Sequence, residues 1–382
     1  MKIKLHKLTI CFILAVGFLF LSSSDAAVSE NEWEKIAAIN KKGPYLGIVV
    51  PNNFEMSPLL QSPSFVPLKA LPYFDFAGKR FRFGKVENES VIVVLTGLSM
   101  LNAGITTQLL VTLFNIKGIL HFGIAGNANS ELQIGDVTIP RYWAHTGLWN
   151  WQRFGDGTDD ELALECHGDY TREIGFLNFS DFNIDDNLLN RVWFQPEEVF
   201  PIDGNPEIRQ HAFWIPVNNR YFSLAKNLEG LELGACVYNT TCLPRRPKVI
   251  RVERGISSNT FVDNAAYRKF LNSKFNATAI DMESAAVGLV CLQQRIPFVT
   301  IRAISDLAGG GDSSMSNEAN SFAPLAANNA VDVLTAFISL LKHEYDGDAS
   351  FGSNQLKRFS PQQHCTFAFP QNPSGCMDLD LI

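Results

Sequence analysis

The sequence predicts an α/β layer fold, in which short buried strands alternate with helices. Three observations carry that expectation. Apolar runs of strand length recur along the chain and are closed by Pro or Gly. Segments between several of them place apolar residues at helical spacing. The composition, 46% hydrophobic and 19% charged over 382 residues, is that of a folded globular chain large enough for a sizeable core.

The elements follow in order. Tyr45 to Val50 (YLGIVV) lies between Pro44 and Pro51 and reads as a strand buried on both faces. Val91 to Leu95 (VIVVL) ends at Thr96-Gly97, and a helix is expected over Asn102 to Phe114. Gly118 to Phe122 (GILHF) closes on Gly123-Ile124-Ala125-Gly126, and Gly135 to Pro140 (GDVTIP) is the next strand. Asp281 to Gln294 is apolar almost all round and is expected as a buried helix. Pro297 to Ile304 (PFVTIRAI) is a strand leading to Ser305-Asp306 and the run Gly309-Gly310-Gly311, and a closing helix covers Ala323 to Lys342. Between Arg141 and Leu231 the rhythm breaks, yet five of the six Trp residues lie there (143, 149, 151, 193 and 214), so residues 141–231 are expected as a folded insert.

The two ends read differently from the body. Lys2, Lys4 and Lys7 precede a 14-residue apolar run, Leu8 to Leu21, and then small residues to Ala26-Ala27, the pattern of a signal peptide over 1–26. No later stretch reads as long and apolar enough for a membrane helix, so a secreted or vacuolar protein without membrane attachment is expected. The formal charge is −7 (32 basic, 39 acidic), and loss of three Lys and Asp25 leaves 29 basic and 38 acidic, or −9, which excludes the basic footprint of a nucleic-acid binder. Six cysteines remain after Cys11 goes. Cys236–Cys242 and Cys365–Cys376 are the nearest pairs, and Cys291 reads as a buried thiol. None is spaced as a zinc site. Residues 344–382, rich in Ser, Gln and Pro, read as a C-terminal extension, and Leu379-Asp380-Leu381-Ile382 is a candidate vacuolar address.

Four short pieces could carry chemistry, and each alone has an ordinary structural reading. Glu55 follows the first strand, where carboxylates line the ligand crevice of α/β sheets or simply face solvent. The turns Thr96-Gly97-Leu98-Ser99 and Gly123-Ile124-Ala125-Gly126 let backbone approach a ligand, or are merely tight. Asp281-Met282-Glu283-Ser284 sets two carboxylates at a helix start, where Glu283 suits either the helix dipole or sugar hydroxyls. Asp306 leaves a buried strand toward a Gly-rich loop, as a turn residue or as a general acid.

In this order the pieces E-x-x-P-L, T-G-x-S-x-x-N-A, F-G-I-A-G, D-M-E-S-A-A and R-A-I-S-D resemble the nucleoside phosphorylase and nucleosidase superfamily, over Gly43 to Leu341. The pattern is similar to methylthioadenosine/S-adenosylhomocysteine nucleosidases and bacterial-type purine nucleoside phosphorylases. The insert, with Gly147-Leu148-Trp149-Asn150-Trp151 and Trp193-Phe194-Gln195-Pro196-Glu197, resembles the plant bark storage protein branch.

The resemblance implies a three-layer α/β/α sandwich around a mixed twisted sheet, spanning residues 32–343, and a homo-oligomer. It implies that Glu55 activates the attacking water, Phe261 and Val262 hold the base, and Met282 and Glu283 contact the ribose. Asp306 then protonates the purine, supported by Ser305, while Arg302 orients the ribose-side carboxylates and Gly126 meets the substrate. His121 and Ile124 stand where phosphorylases keep an Arg and a Ser for phosphate, which tilts the expectation to hydrolysis and leaves His121 as a candidate anion contact. Asn259 replaces a base-contacting Asp. The function implied is cleavage of the N-glycosidic bond of purine-type nucleosides, adenosine-like or cytokinin ribosides, with no metal or organic cofactor and with phosphate as co-substrate only in the phosphorolytic case. The alternative is a storage protein on the same fold.

Overall fold

The computed structural model describes residues 29–151, 176–178, 191–237, 241–310 and 318–350. The expected leader, the centre of the insert, Cys166 and the tail with Cys365 and Cys376 lie outside them. Helix α1 (Glu30–Asn40) opens on a capping box, in which the Ser29 side chain and Glu32 satisfy each other's backbone N–H. Strand β1 (Tyr45–Val50) is buried at every residue. Helix α2 (Asn53–Gln61) begins where the Asn52 side chain accepts from the Glu55 N–H at 3.0 Å, so Glu55 sits in its first turn and not in a loop.

The sheet then adds β2 (Lys79–Val86) and β3 (Glu89–Leu95), helix α3 (Met100–Leu113), and the strands β4 (Ile116–Asn127), β5 (Val137–His145) and β6 (Val249–Ser257). Helix α4 (Ala265–Phe275) leads to β7 (Ala277–Asp281), helix α5 (Ser284–Gln294), β8 (Phe298–Leu307) and the long helix α6 (Glu318–Ser350). All eight expected elements exist, with ends moved by a few residues. One boundary differs in kind. Asp281 ends a strand and the helix starts at Ser284, because Ala277–Ile280 finds a parallel partner in β6 that no local pattern announces.

The sheet is mixed. β1 lies parallel between β3 and β4, β5 and β7 flank β6 in parallel, and β2 runs antiparallel to β3. β4 is long enough to pair β1 and β8 along its length and then β7 at Gly126 and Asn127. β8 also meets β5 at Arg302 and Ala303, so the pairings close a circuit through β4, β8, β5, β6 and β7. The C-terminal ends of β4, β7 and β8 meet in this way at one place, beside the end of β1.

One apolar core lies on each side of β1. Met56, Leu59, Val299, Phe337 and Ile338 pack on one face, and Val49, Leu110, Phe114 and Val287 on the other. The segment Phe322–Glu344 of α6 has a mean hydropathy of 1.4 and is long enough to cross a membrane by length and composition, contrary to the sequence expectation. It packs against β8 and β4 with most of its surface buried, so its apolar character is accounted for by the core. Asn328, Asn329 and Asp332 interrupt its pattern, which hid its overall hydropathy. In the insert, Phe194, Ile215, Val217 and Tyr221 are buried, and Ile215–Pro216 extends the sheet beside β5. Cys236 and Cys242 form a disulfide and Cys291 is a buried free thiol, as expected.

Candidate active site

The convergent strand ends are organised by one guanidinium. Arg302, in the middle of β8, is fully buried. Its Nε stands 2.7 Å from Asp281 Oδ2 and donates to Ser284 Oγ at 3.1 Å, and its Nη1 donates to the Ile124 carbonyl at 3.2 Å. Nη1 also stands 3.8 Å from Glu55 Oε1, and Nη2 stands 3.6 Å from Glu283 Oε2 and against His121 Nε2. One cation thus serves three buried carboxylates from α2, β7 and the turn into α5. A buried charge is tolerable only when paired in this way.

Each carboxylate has its own support. Asp281 accepts from Ser257 Oγ at 2.5 Å, from the Glu283 and Ser284 N–H groups at 3.1 Å, and from Ser284 Oγ. Sequence reasoning had assigned Asp281 to a helix start and missed this anchoring role. Its signal was Ser284, whose hydroxyl and N–H three residues on both point back at it. Glu283 precedes α5, and its Oε1 accepts from the Ser99 N–H at 3.1 Å. Ser99 sits at φ 94° and opens α3, which aims its N–H across the cleft. Burial, followed by the opposing pull of Arg302, leaves the Glu283 carboxyl above its usual range.

Glu55 is 2% exposed, and its Oε1 accepts from the Ile124 N–H at 2.7 Å. Its Oε2 has no hydrogen-bond partner among the described residues. Burial pushes its pKa from 4.5 to about 7, against the lowering effects of Arg302 and the Ile124 N–H. Room for this carboxylate comes from Gly123, where a Cβ would collide with Glu55 Oε1 and Arg302 Nη1.

On the far side of the cavity stands Asp306. The β4–β8 register shifts between Ile304 and Asp306, so Ser305 is an extra residue and the bulge re-aims the strand end. Ser305 Oγ has two acceptors, Asp306 Oδ1 at 2.6 Å and the Ala125 carbonyl at 3.3 Å, for its single proton. Burial, with Asp263 nearby, raises the Asp306 pKa above the ordinary 3.8.

The cavity between them is lined by Glu55, Glu283, Asp306 and Ser305, by Met282, Val262 and Phe261, and by Gly126, together with Asn52, Leu98, Ile124 and Asp281. Phe261 is 72% exposed at the rim. Two expected site residues lie elsewhere. Arg302 is behind the wall and acts through the carboxylates. His121 is fully buried, its Nδ1 donating to the Val49 carbonyl at 2.9 Å and its Nε2 turned to Arg302, so it does not line the cavity as an anion contact would. Burial and the adjacent guanidinium hold its pKa well below 6.5, and a neutral ring is what the two bonds require. The Asn259 side chain accepts from the Met100 N–H at 3.0 Å and so helps start α3.

The chain is similar to known proteins. The family model described as Phosphorylase superfamily matches residues 45–339. Bark storage protein A of Populus deltoides is 33% identical over 299 residues, covering 77% of this chain and 88% of that protein. A 5'-methylthioadenosine/S-adenosylhomocysteine nucleosidase of Staphylococcus carnosus is 24% identical over 241 residues, covering 63% of this chain and 78% of its own. Among solved structures, the nucleosidase of that name from Helicobacter pylori superposes with a TM-score of 0.52 at 19% identity, over 77% of this chain and 97% of its own. That likeness concerns the fold.

Proposed function

Because this chain belongs to the phosphorylase superfamily, we propose that it hydrolyses the N-glycosidic bond of a purine-type nucleoside. The observation that carries this reading is the charge of the cavity wall. Four carboxylates line it, and among the described residues no Lys or Arg does. A phosphate dianion would meet like charge there without the charge-assisted donors it needs. A water nucleophile and a developing oxocarbenium ion suit the same wall.

The roles follow from the environments. Glu283, fixed by Ser99 and Arg302, accepts from the ribose hydroxyls, and Met282 packs beside them. Val262 and Phe261 flank the base. Asp306 donates its proton to the purine ring nitrogen as the C1'–N9 bond breaks, and the bonding pair leaves with the base. Glu55 takes a proton from the water whose oxygen bonds to C1', yielding ribose and neutral purine. Its unpartnered Oε2 is the acceptor for that proton. No step calls for a metal or an organic cofactor.

Adenosine-like nucleosides, cytokinin ribosides included, are the proposed substrates, in line with the adenosine derivative in the name of the Staphylococcus relative. The disulfide supports a secretory setting, extracellular or vacuolar, in which the leader is removed. The exposed Leu101 and Ile105 on α3, with exposed Leu98 just before it, support a homo-oligomer.

A second reading, storage on an enzyme fold, is favoured by the names of the Populus relatives. One experiment separates them. The mature protein is incubated with adenosine, inosine, methylthioadenosine or a cytokinin riboside, with and without phosphate, beside Asp306→Asn. Phosphate-independent release of ribose, lost in the variant, is expected. Ribose 1-phosphate formed only with phosphate would replace hydrolysis by phosphorolysis, and no release at all would leave storage.

A further inference from the structure

The Trp-rich insert meets the cavity from behind. Val262, Ile280 and Ala308 line the cavity, and the same three residues share an apolar cluster with Phe194 of the insert. Phe194 is wholly buried. Its ring lies edge-on to Phe275 at 5.1 Å and to Trp149 at 6.2 Å, and stacks on Phe270 at 6.2 Å. Polar contacts fasten this part of the insert at the end of β5. The Gln195 N–H donates to the Leu148 carbonyl at 3.0 Å, Trp149 Nε1 donates to the Thr146 carbonyl at 3.0 Å, and His145 Nδ1 meets Glu197 Oε1 at 2.5 Å.

Val262 belongs to the segment 259–264, which has neither helix nor strand, so side-chain packing is what fixes its place. A wall held by packing moves when the residue behind it changes volume, because interiors are close-packed and collapse toward a void. We infer that Phe194 is a positioning residue for base selection: by backing Val262 and Ile280 it sets how far the base wall stands from Asp306, and hence how bulky a purine base the cavity accepts. This inference rests on the purine-nucleoside reading above. It gives the insert a task at the site. Within the described residues that task falls to Phe194 and Trp149 on the apolar side and to the His145–Glu197 pair as the clasp.

The test compares adenosine with N6-benzyladenosine, which differ only in bulk on the base. In Phe194→Leu the wall retreats. The KM for adenosine should rise about tenfold with kcat changed less than about twofold, since binding of the base and not the chemistry is disturbed. The ratio of kcat/KM for N6-benzyladenosine over adenosine should rise about tenfold. Glu197→Gln, which loosens the clasp without removing volume, should move the ratio in the same direction by less. Should Phe194→Leu fail to fold, Phe194→Met keeps most of the volume and carries the same comparison with a smaller shift.

A parallel fall of both substrates, or an unmoved ratio, would reduce Phe194 to a structural residue and overturn the inference while leaving the activity intact. If the wild-type protein cleaves neither nucleoside, the activity reading falls and this inference falls with it.

Discussion

Replacing Glu55 by Gln separates what the fold wants from what the chemistry wants. The carboxyl is wholly buried and its pKa is raised from 4.5 to about 7, chiefly by burial. At about 1.4 kcal/mol per pH unit, that rise amounts to about 3 kcal/mol. The sign follows from proton binding. Between pH 4.5 and about 7 the folded protein holds a proton on Glu55 that the unfolded chain has released. Stability therefore falls as pH rises through that window, and the loss is complete above about 7.

Gln at this position keeps an acceptor for the Ile124 N–H and never ionises. Glu55→Gln should match the wild type near pH 4.5 and exceed it by up to about 3 kcal/mol at pH 8. Urea unfolding at the two pH values measures the difference, with unchanged m-values as the check that only stability moved. The same variant should lose about 10²- to 10⁴-fold in kcat, the usual worth of a general base. A variant that is equally stable or less stable than the wild type at pH 8 would refute the claim that ionised Glu55 is a strained charge. Full activity in the variant would refute its role as base.

Three further outcomes follow from the same geometry. Asp306→Asn should lower kcat by about 10²- to 10⁴-fold with little change in melting temperature, because Ser305 can still bond the amide; loss of fold instead would make Asp306 structural. Gly123→Ala drives a methyl into Glu55 and Arg302, so it should cost about 1–3 kcal/mol in a urea titration and most of the activity, and a neutral result would show that β4 yields there. Arg302→Met strips three buried carboxylates of their cation and should destabilise the protein by about 3–5 kcal/mol at pH 8, with recovery toward pH 5 as Glu55 takes up its proton. Equal damage at both pH values would mean that packing, not charge, is what Arg302 supplies.

Strands such as Tyr45–Val50 and Phe298–Leu307 were legible because a strand buried on both faces is apolar at every position. Helix α2 was not, since NFEMSPLLQ carries a Pro and only the Asn52 cap announces it. Strand β7 was not read, and its last residue, Asp281, was given to the following helix, because ATAID is short and runs directly into that segment and only the pairing with β6 marks it as a strand. At the site, Glu55, Glu283 and Asp306 were visible as motif positions. The place of His121 was not, because the registers that put it opposite Val49 and Thr300 are set by three strands far apart in sequence. A His one residue deeper in the sheet is a wedge behind Arg302, not a hand for an anion.

Both candidate catalytic groups have raised pKa values, yet the proposed hydrolysis needs one ionised and the other protonated at the same pH. Their neighbours divide the roles. Glu55 has the Ile124 N–H and the Arg302 guanidinium beside it, and both favour its anion. Asp306 has no such cation among the described residues: burial and then Asp263 favour its neutral form, and only the Ser305 hydroxyl works the other way. A purine seated in the cavity removes water from Asp306 and strengthens that preference, while Glu55 keeps its two partners from behind the wall. Activity should therefore rise with pH through about 7 as Glu55 loses its proton, and fall again at the pH where Asp306 in the substrate complex loses its own. The wall residues that exclude water from Asp306 thereby help set the upper limit of that window, so the packing of the base wall bears on the alkaline edge of the pH profile while leaving kcat at the optimum in place.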